Sequence, residues 1–123
     1  MQGVSIFLVE DEALIRMMIV ELLEELGHRV VAEAGSIQAA VPLARTSVFD
    51  LAVFDINIAG FNISPIAEIV AARGVPFVFV SGYGPAGRPP LFADKPVLDK
   101  PFSIETFADF INSALSDSSR ARA

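Results

Sequence analysis

What most narrows the fold of this chain is how its apolar runs end. Val4-Ser5-Ile6-Phe7-Leu8-Val9 stops abruptly on Glu10-Asp11-Glu12, and Asp50-Leu51-Ala52-Val53-Phe54 stops on Asp55. Pro76-Phe77-Val78-Phe79-Val80 closes on Ser81-Gly82, and the short run Val97-Leu98 comes just before Lys100-Pro101. Short, almost wholly apolar runs rich in β-branched and aromatic residues read as strands buried on both faces. Arg29 to Ala34 reads as one more strand.

Between these runs the period changes. Ile15, Met18, Ile19, Leu22 and Leu26 recur at helical spacing, with Glu21, Glu24 and Glu25 between them and Gly27 as the stop. Ser36 caps a second helix to Thr46, in which Pro42 predicts a kink or a late start. Ser64-Pro65 predicts a cap with proline at the first helical position, and Ile66, Ile69 and Val70 carry the apolar face to Gly74. Phe102 and Phe107 flank a Ser103 cap at the spacing of a hydrophobic staple, opening a last helix through Phe110, Ile111 and Leu115.

Apolar strands alternating with amphipathic helices imply a parallel sheet covered on both faces. The most economical assembly is a doubly wound α/β domain of five strands in the order 2-1-3-4-5. At 123 residues there is room for one such domain, expected at 1–115 with a short, polar, frayed tail at 116–123. In open parallel sheets the chemistry gathers at the carboxyl ends of the strands. Glu10, Asp11, Asp55, Ser81 and Lys100 all fall there.

Composition removes other chemistries. With no cysteine there are no disulfides, thiolate metal sites or cysteine nucleophiles, and the single His28 cannot build a multi-histidine metal site. The formal charge is −6, with two lysines and seven scattered arginines, which argues against nucleic acid as a partner. Apolar runs such as Leu14 to Val20 are interrupted by charges well short of a membrane span. Residues 1–9 carry no basic segment leading a cleavable apolar stretch, so a cytoplasmic location is expected. Neither glycine-rich phosphate-binding motif follows the first strand, which weakens a nucleotide-binding enzyme reading.

Glu10, Asp11 and Asp55 end two strands expected side by side at the sheet centre. Three converging carboxylates repel and raise at least one pKa unless a cation sits among them. Hard oxygen ligands with open positions suit Mg²⁺, and the backbone carbonyl of Asn57 is placed to complete the shell. The alternative, that such acids only cap helices or form turns, competes for Asp11 alone and weakens for all three together. Lys100 offers a point charge, and Ser81 a hydroxyl beside a glycine, for the oxygens of an acyl phosphate. Lys95-Pro96 offers a second Lys-Pro pair, but it lies too near Ser81 to follow a full crossover, so Lys100 is preferred.

The run Leu8-Val9-Glu10-Asp11-Glu12, the strand-end Asp55, Ser81 and Lys100-Pro101-Phe102 resemble the receiver domain of two-component response regulators over nearly the whole chain. The resemblance implies a phosphoacceptor signalling domain rather than an enzyme, with Asp55 taking a phosphoryl group from a histidine kinase. It further implies that Asp11, Asp55 and the Asn57 carbonyl bind Mg²⁺ and that Glu10 acts largely through water. Ser81 and Lys100 would contact the phosphoryl group, and the Lys100-Pro101 bond would be cis. Pro76 to Gly84 and Asp55 to Gly60 also resemble the receiver subfamily nicknamed FAT GUY, with Val80 for Ala and Ser81 for Thr. Most receivers carry an aromatic switch residue where this chain has Val97. Tyr83, the only tyrosine, is the candidate replacement, with a plain loop aromatic as the equal alternative.

Between Ser81 and Lys100 an ordinary receiver holds a helix and a strand. Here the segment contains Gly82, Gly84, Pro85, Gly87, Pro89, Pro90 and Pro96, so the fourth helix is expected to be absent, short or irregular. Little chain follows residue 115, which predicts a stand-alone receiver acting through contact with a downstream signalling protein, or as a phosphate sink. A phosphorylation-independent adaptor is the alternative. A monomer, or a weak dimer through the face at 84–98, is expected.

Overall fold

The structure, a computed structural model, describes residues 3–84 and 86–122, with side-chain surroundings given as far as Asp117. Pro85 and the side chains at the end of the expected tail lie outside that range. In chain order the elements are β1 (Ser5–Val9), α1 (Ala13–Glu25), β2 (Arg29–Ala34), α2 (Ile37–Thr46), β3 (Leu51–Asp55) and a two-stranded hairpin, β4 (Asn57–Ile58) with β5 (Phe61–Asn62). Then come α3 (Ser64–Ala72), β6 (Phe77–Ser81), a 3₁₀ turn at Pro90–Phe92, β7 (Val97–Asp99) and α4 (Ile104–Arg122). Five strands form a parallel sheet in the order β2-β1-β3-β6-β7, the expected 2-1-3-4-5 order once the hairpin is set aside.

The alternation of side chains along each strand divides the core in two. Ile6, Leu8, Leu51, Val53, Val78 and Val80 pack under Ile19 and Leu23 of α1 and Phe107 and Ile111 of α4. Phe7, Val9, Ala52, Phe54, Phe77 and Phe79 face Ala40 and Ala44 of α2 and Ile66, Ala67 and Val70 of α3. On this second face Phe49, Phe7, Phe54, Phe77 and Phe92 form a chain of ring contacts with centroids 5.0, 5.9, 5.6 and 5.1 Å apart. Burying one such ring stabilises the fold by roughly 1.5–3 kcal/mol before entropy is counted.

Helix ends follow local chemistry. Gly27, at φ +92°, closes α1, where its N–H bonds Glu24 and the His28 N–H bonds Leu23, satisfying two terminal carbonyls. Ser36 and Ser103 cap α2 and α4 by accepting from Ala39 N–H and Thr106 N–H, and Phe102 stacks on Phe107 at 5.2 Å. Three expectations need correction. α2 starts at Ile37 and carries Pro42 in its second turn, so there is no late start; the proline has no N–H for the Gln38 carbonyl, and the Ser36 cap with the buried Ala40 and Ala44 holds the helix across that gap. α3 begins at Ser64 itself, and the side chain of Asn62, not that of Ser64, accepts from the Ser64 N–H at 2.9 Å. α4 continues to Arg122 instead of fraying from Ser116, because the segment contains neither glycine nor proline to stop it.

The β6–β7 connection meets the expectation for the fourth helix. Among the described residues its only regular element is the three-residue turn Pro90–Phe92, and Phe92 drops from it onto the ring of Phe77. Among the described residues no helix is long and apolar enough to cross a membrane.

Candidate functional site

The parallel register brings the strand ends to one edge of the sheet. Val9 lies beside Ala34 and Phe54, Asp55 beside Val80, and Ser81 beside Asp99. Glu10 therefore leaves β1 next to Asp55 at the tip of β3, and Lys100 leaves β7 next to Ser81. Backbone bonds hold this edge: Glu10 N–H donates to Ala34, and Lys100 N–H donates to the Ser81 carbonyl at 2.8 Å.

Carboxylate oxygens of Glu10, Asp11 and Asp55 all lie within 4.8 Å of one another. Glu10 is 1% and Asp55 8% exposed, while Asp11 is half-buried at the rim. Lys100 reaches in between them, its Nζ donating to Glu10 Oε1 at 2.7 Å and to Asp55 Oδ2 at 3.2 Å. Burial pushes the Glu10 carboxyl up to about 7, helped by the charge of Asp55, while the hydrogen bond from Lys100 pulls the other way. Burial by itself would lower the Lys100 pKa; the Glu10 hydrogen bond and the Asp55 charge outweigh it and hold the ammonium above the ordinary lysine value.

The remaining contacts aim the acids. Glu10 Oε2 accepts from Glu12 N–H, Asp11 Oδ2 from Ala59 N–H at 2.9 Å, and Asp55 Oδ1 lies 3.4 Å from Asn57 N–H. Asn57 turns its side-chain oxygen to the Gly60 N–H, shaping the hairpin whose tip meets Asp11, with Ala59 at φ +52°. Ser81 is buried, and its Oγ accepts from Tyr83 N–H at 3.1 Å, leaving the hydroxyl proton free to donate. Tyr83 itself is 78% exposed. A cleft of about 460 Å³ opens beside Asp55, lined by Ile56, Asn57, Gly60, Asn62, Ser81, Tyr83, Ala86 and Gly87.

Of the residues singled out from sequence, the structure brings Glu10, Asp11, Asp55 and Lys100 into contact range, sets Ser81 at the neighbouring strand end and the Asn57 N–H beside Asp55, and leaves the Tyr83 ring in solvent at the cleft margin. It also separates the two Lys-Pro lysines. Lys95 Nζ sits 4.9 Å from the Phe77 ring centroid and serves the core, whereas Lys100 serves the acids. The Lys100-Pro101 bond is cis.

Three carboxylates and one ammonium carry a net charge near −2 when fully ionised. Carboxylates 4–5 Å apart repel by roughly 3–4 kcal/mol at an effective dielectric of 20. The donor set therefore fits a divalent cation of the Mg²⁺ type, which prefers oxygen ligands.

A family model described as the response regulator receiver domain matches residues 6–88. The chain belongs to this receiver family. As a receiver it is a domain of two-component signalling, and it has curated relatives of that kind. It is 35% identical to the transcriptional regulatory protein PdtaR of Mycobacterium tuberculosis over 115 residues, 90% of this chain and 56% of PdtaR. Thus it spans only about half the length of that relative. Among solved structures it resembles SdrG from Sphingomonas melonis Fr1 at 34% identity and TM-score 0.78, over 92% of this chain and 97% of that one. It also resembles the anti-anti-sigma factor PhyR from Bartonella quintana at 26% identity and TM-score 0.81, over 100% of this chain and 53% of that one.

Sequence reasoning missed three supporting residues of this receiver: Ala59, whose N–H meets Asp11; Asn62, which ties the hairpin to the Gly87 carbonyl at 2.8 Å; and Arg16, whose guanidinium meets the Glu10 carbonyl at 2.7 Å. Ala59 acts through its backbone N–H and Asn62 through its side-chain amide, both in a hairpin with no strong pattern. Arg16 looks like any charge on an amphipathic helix.

Proposed function

We propose that this receiver accepts a phosphoryl group on Asp55 from the phosphohistidine of a histidine kinase and passes the signal on through protein contact. The observation that carries this reading is Asp55 meeting Glu10 and Asp11 at the end of one strand and Lys100 at the end of another, in one largely buried acidic cluster. In the reaction an Asp55 carboxylate oxygen attacks phosphorus while the bond to the histidine nitrogen breaks, and the departing imidazole keeps the electron pair. Glu10, Asp11, Asp55 and the Asn57 carbonyl would hold Mg²⁺, which supplies positive charge against the phosphoryl oxygens.

The chain's own groups complete the anion site. Lys100, 3.2 Å from Asp55 before reaction, is within a small swing of the new phosphoryl oxygens. Ser81 presents its free hydroxyl proton from the adjacent strand end. Tyr83, anchored to Ser81 only through its backbone, has a free ring able to report the change at the surface.

The match to 97% of the SdrG chain supports a stand-alone role, either as an effector or as a phosphate sink. The likeness to PhyR, described as an anti-anti-sigma factor, supports a protein rather than nucleic acid as recipient. Acetyl phosphate or beryllofluoride with Mg²⁺ should shift the amide spectrum of the wild type and leave Asp55→Asn unchanged. Phosphotransfer from the host's histidine kinases should label the wild type alone. If both proteins respond alike, or neither responds, the phosphoacceptor reading fails and the phosphorylation-independent adaptor takes its place.

A further inference from the structure

Among the described residues Glu10 makes four hydrogen bonds, and only the one from Lys100 comes from a residue of the expected site. Its N–H donates to the Ala34 carbonyl of β2, and its carboxylate receives Lys100 and the Glu12 N–H. Its carbonyl, the oxygen of the peptide that leads into Asp11, receives the guanidinium of Arg16 from α1 at 2.7 Å. Arg16 is held in turn, with Nε 3.3 Å from Glu33 Oε1 on β2. One side chain therefore fastens α1 and β2 to the peptide joining two of the three clustered acids.

Gly35 makes room for this bridge. A β-carbon at position 35 would sit 2.7 Å from the Arg16 Nη1 and 3.7 Å from the Glu10 carbonyl oxygen. Any larger residue there pushes the guanidinium away from the carbonyl it holds. The absence of a side chain at residue 35 and the reach of Arg16 are two halves of one device.

We infer that Arg16, seated over Gly35, is a positioning residue for the acidic cluster: it fixes the Glu10–Asp11 peptide so that both carboxylates face a divalent cation. The inference rests on the Mg²⁺ reading of the cluster. Without Arg16 the peptide plane is free to rotate, and Asp11 keeps only the Ala59 N–H as a guide. Partners that orient metal-binding carboxylates act on affinity even though they never touch the ion. Glu33 lies half-exposed and only steadies the arginine, so its removal matters less.

The test is Mg²⁺ titration of the full chain by calorimetry and amide NMR, alongside thermal unfolding in metal-free buffer. Arg16→Met and Gly35→Ala should each weaken Mg²⁺ binding about tenfold, and Arg16→Lys should recover part of the loss. Glu33→Gln should change it less than threefold by the same reasoning. In metal-free protein the Glu12 amide, bonded to the Glu10 carboxylate, should exchange faster in Arg16→Met and Gly35→Ala than in the wild type. Unchanged Mg²⁺ affinity in both variants, with the wild type binding normally, overturns the positioning role. So does a loss of affinity that merely follows a loss of thermal stability across all four variants. If the wild type itself does not bind Mg²⁺, the cation reading of the cluster fails first and takes this role with it.

Discussion

Two connections in this receiver join neighbouring parallel strands on the same side of the site, and they do it differently. From β3 to β6 the chain makes a hairpin and then the nine-residue helix α3, which lays Ile66, Ala67 and Val70 on the sheet. From β6 to β7 the described residues make no α-helix, only the turn Pro90–Phe92, and cover the same core cluster with one ring, Phe92. The contrast shows that a sheet face needs apolar cover more than it needs a helix. Where a helix is absent, backbone that would be internally bonded instead depends on turns and single anchors, here the Asn62–Gly87 and Arg88–Lys95 hydrogen bonds.

The comparison breaks most directly at its anchors. Phe92→Ala should cost about 3 kcal/mol in urea unfolding, as much as Ile66→Ala on α3, because both leave cavities in one core. A loss below about 1 kcal/mol for Phe92→Ala would show that the ring is not the cover. Lys100→Met should cost roughly 2–3 kcal/mol at pH 8 without metal, since it strands two buried carboxylates, and Mg²⁺ should restore much of that. Gly87→Ala should cost about 1 kcal/mol. Gly87 holds φ +85° in the helix-free connection, and an alanine there would meet Ile56 only at ordinary contact distance, so the cost is backbone strain.

Smaller effects come with pH. The folded-state pKa of Glu10 is raised to about 7 from 4.5, so in metal-free protein its contribution is fully present below pH 4.5 and is lost as pH rises through 7. Burial lowers the pKa of His28 from 6.5, and its Nδ1 accepts from Val4 N–H. That contribution is present above pH 6.5 and is lost as pH falls below it. Melting curves of Glu10→Gln and His28→Asn between pH 5 and 8 should therefore lose opposite slopes relative to the wild type. The smallest effect belongs to Tyr83→Ala, whose exposed ring should leave stability within about 0.5 kcal/mol. Its consequence should appear instead in the spectral response to beryllofluoride, which a loop aromatic without a role would leave unchanged.

Much of this was legible in the chain because it depends on local chemistry. Glycine and proline density disclosed the missing helix, since neither residue sustains intrahelical bonding. Serine caps at Ser36 and Ser103 and the Phe102–Phe107 staple declared themselves by spacing. The β4–β5 hairpin did not, being two residues on each arm and too short for any period to emerge. Nor did the end of α4, because no residue after Ser116 marks a stop.

By itself the sequence determined five strands and the acids at their tips, because apolar periodicity and charge are properties of short segments; burial on both faces holds for β1, β3 and β6, while the edge strand β2 exposes Arg29, Val31 and Glu33. Only the tertiary structure decided which groups meet. Lys100, already preferred over Lys95 from its place in the chain, meets Glu10 and Asp55 at distances that strand register sets. Arg16 reaches the Glu10 carbonyl because a glycine, Gly35, follows β2 beside it, a coincidence of two segments 19 residues apart that neither segment discloses alone.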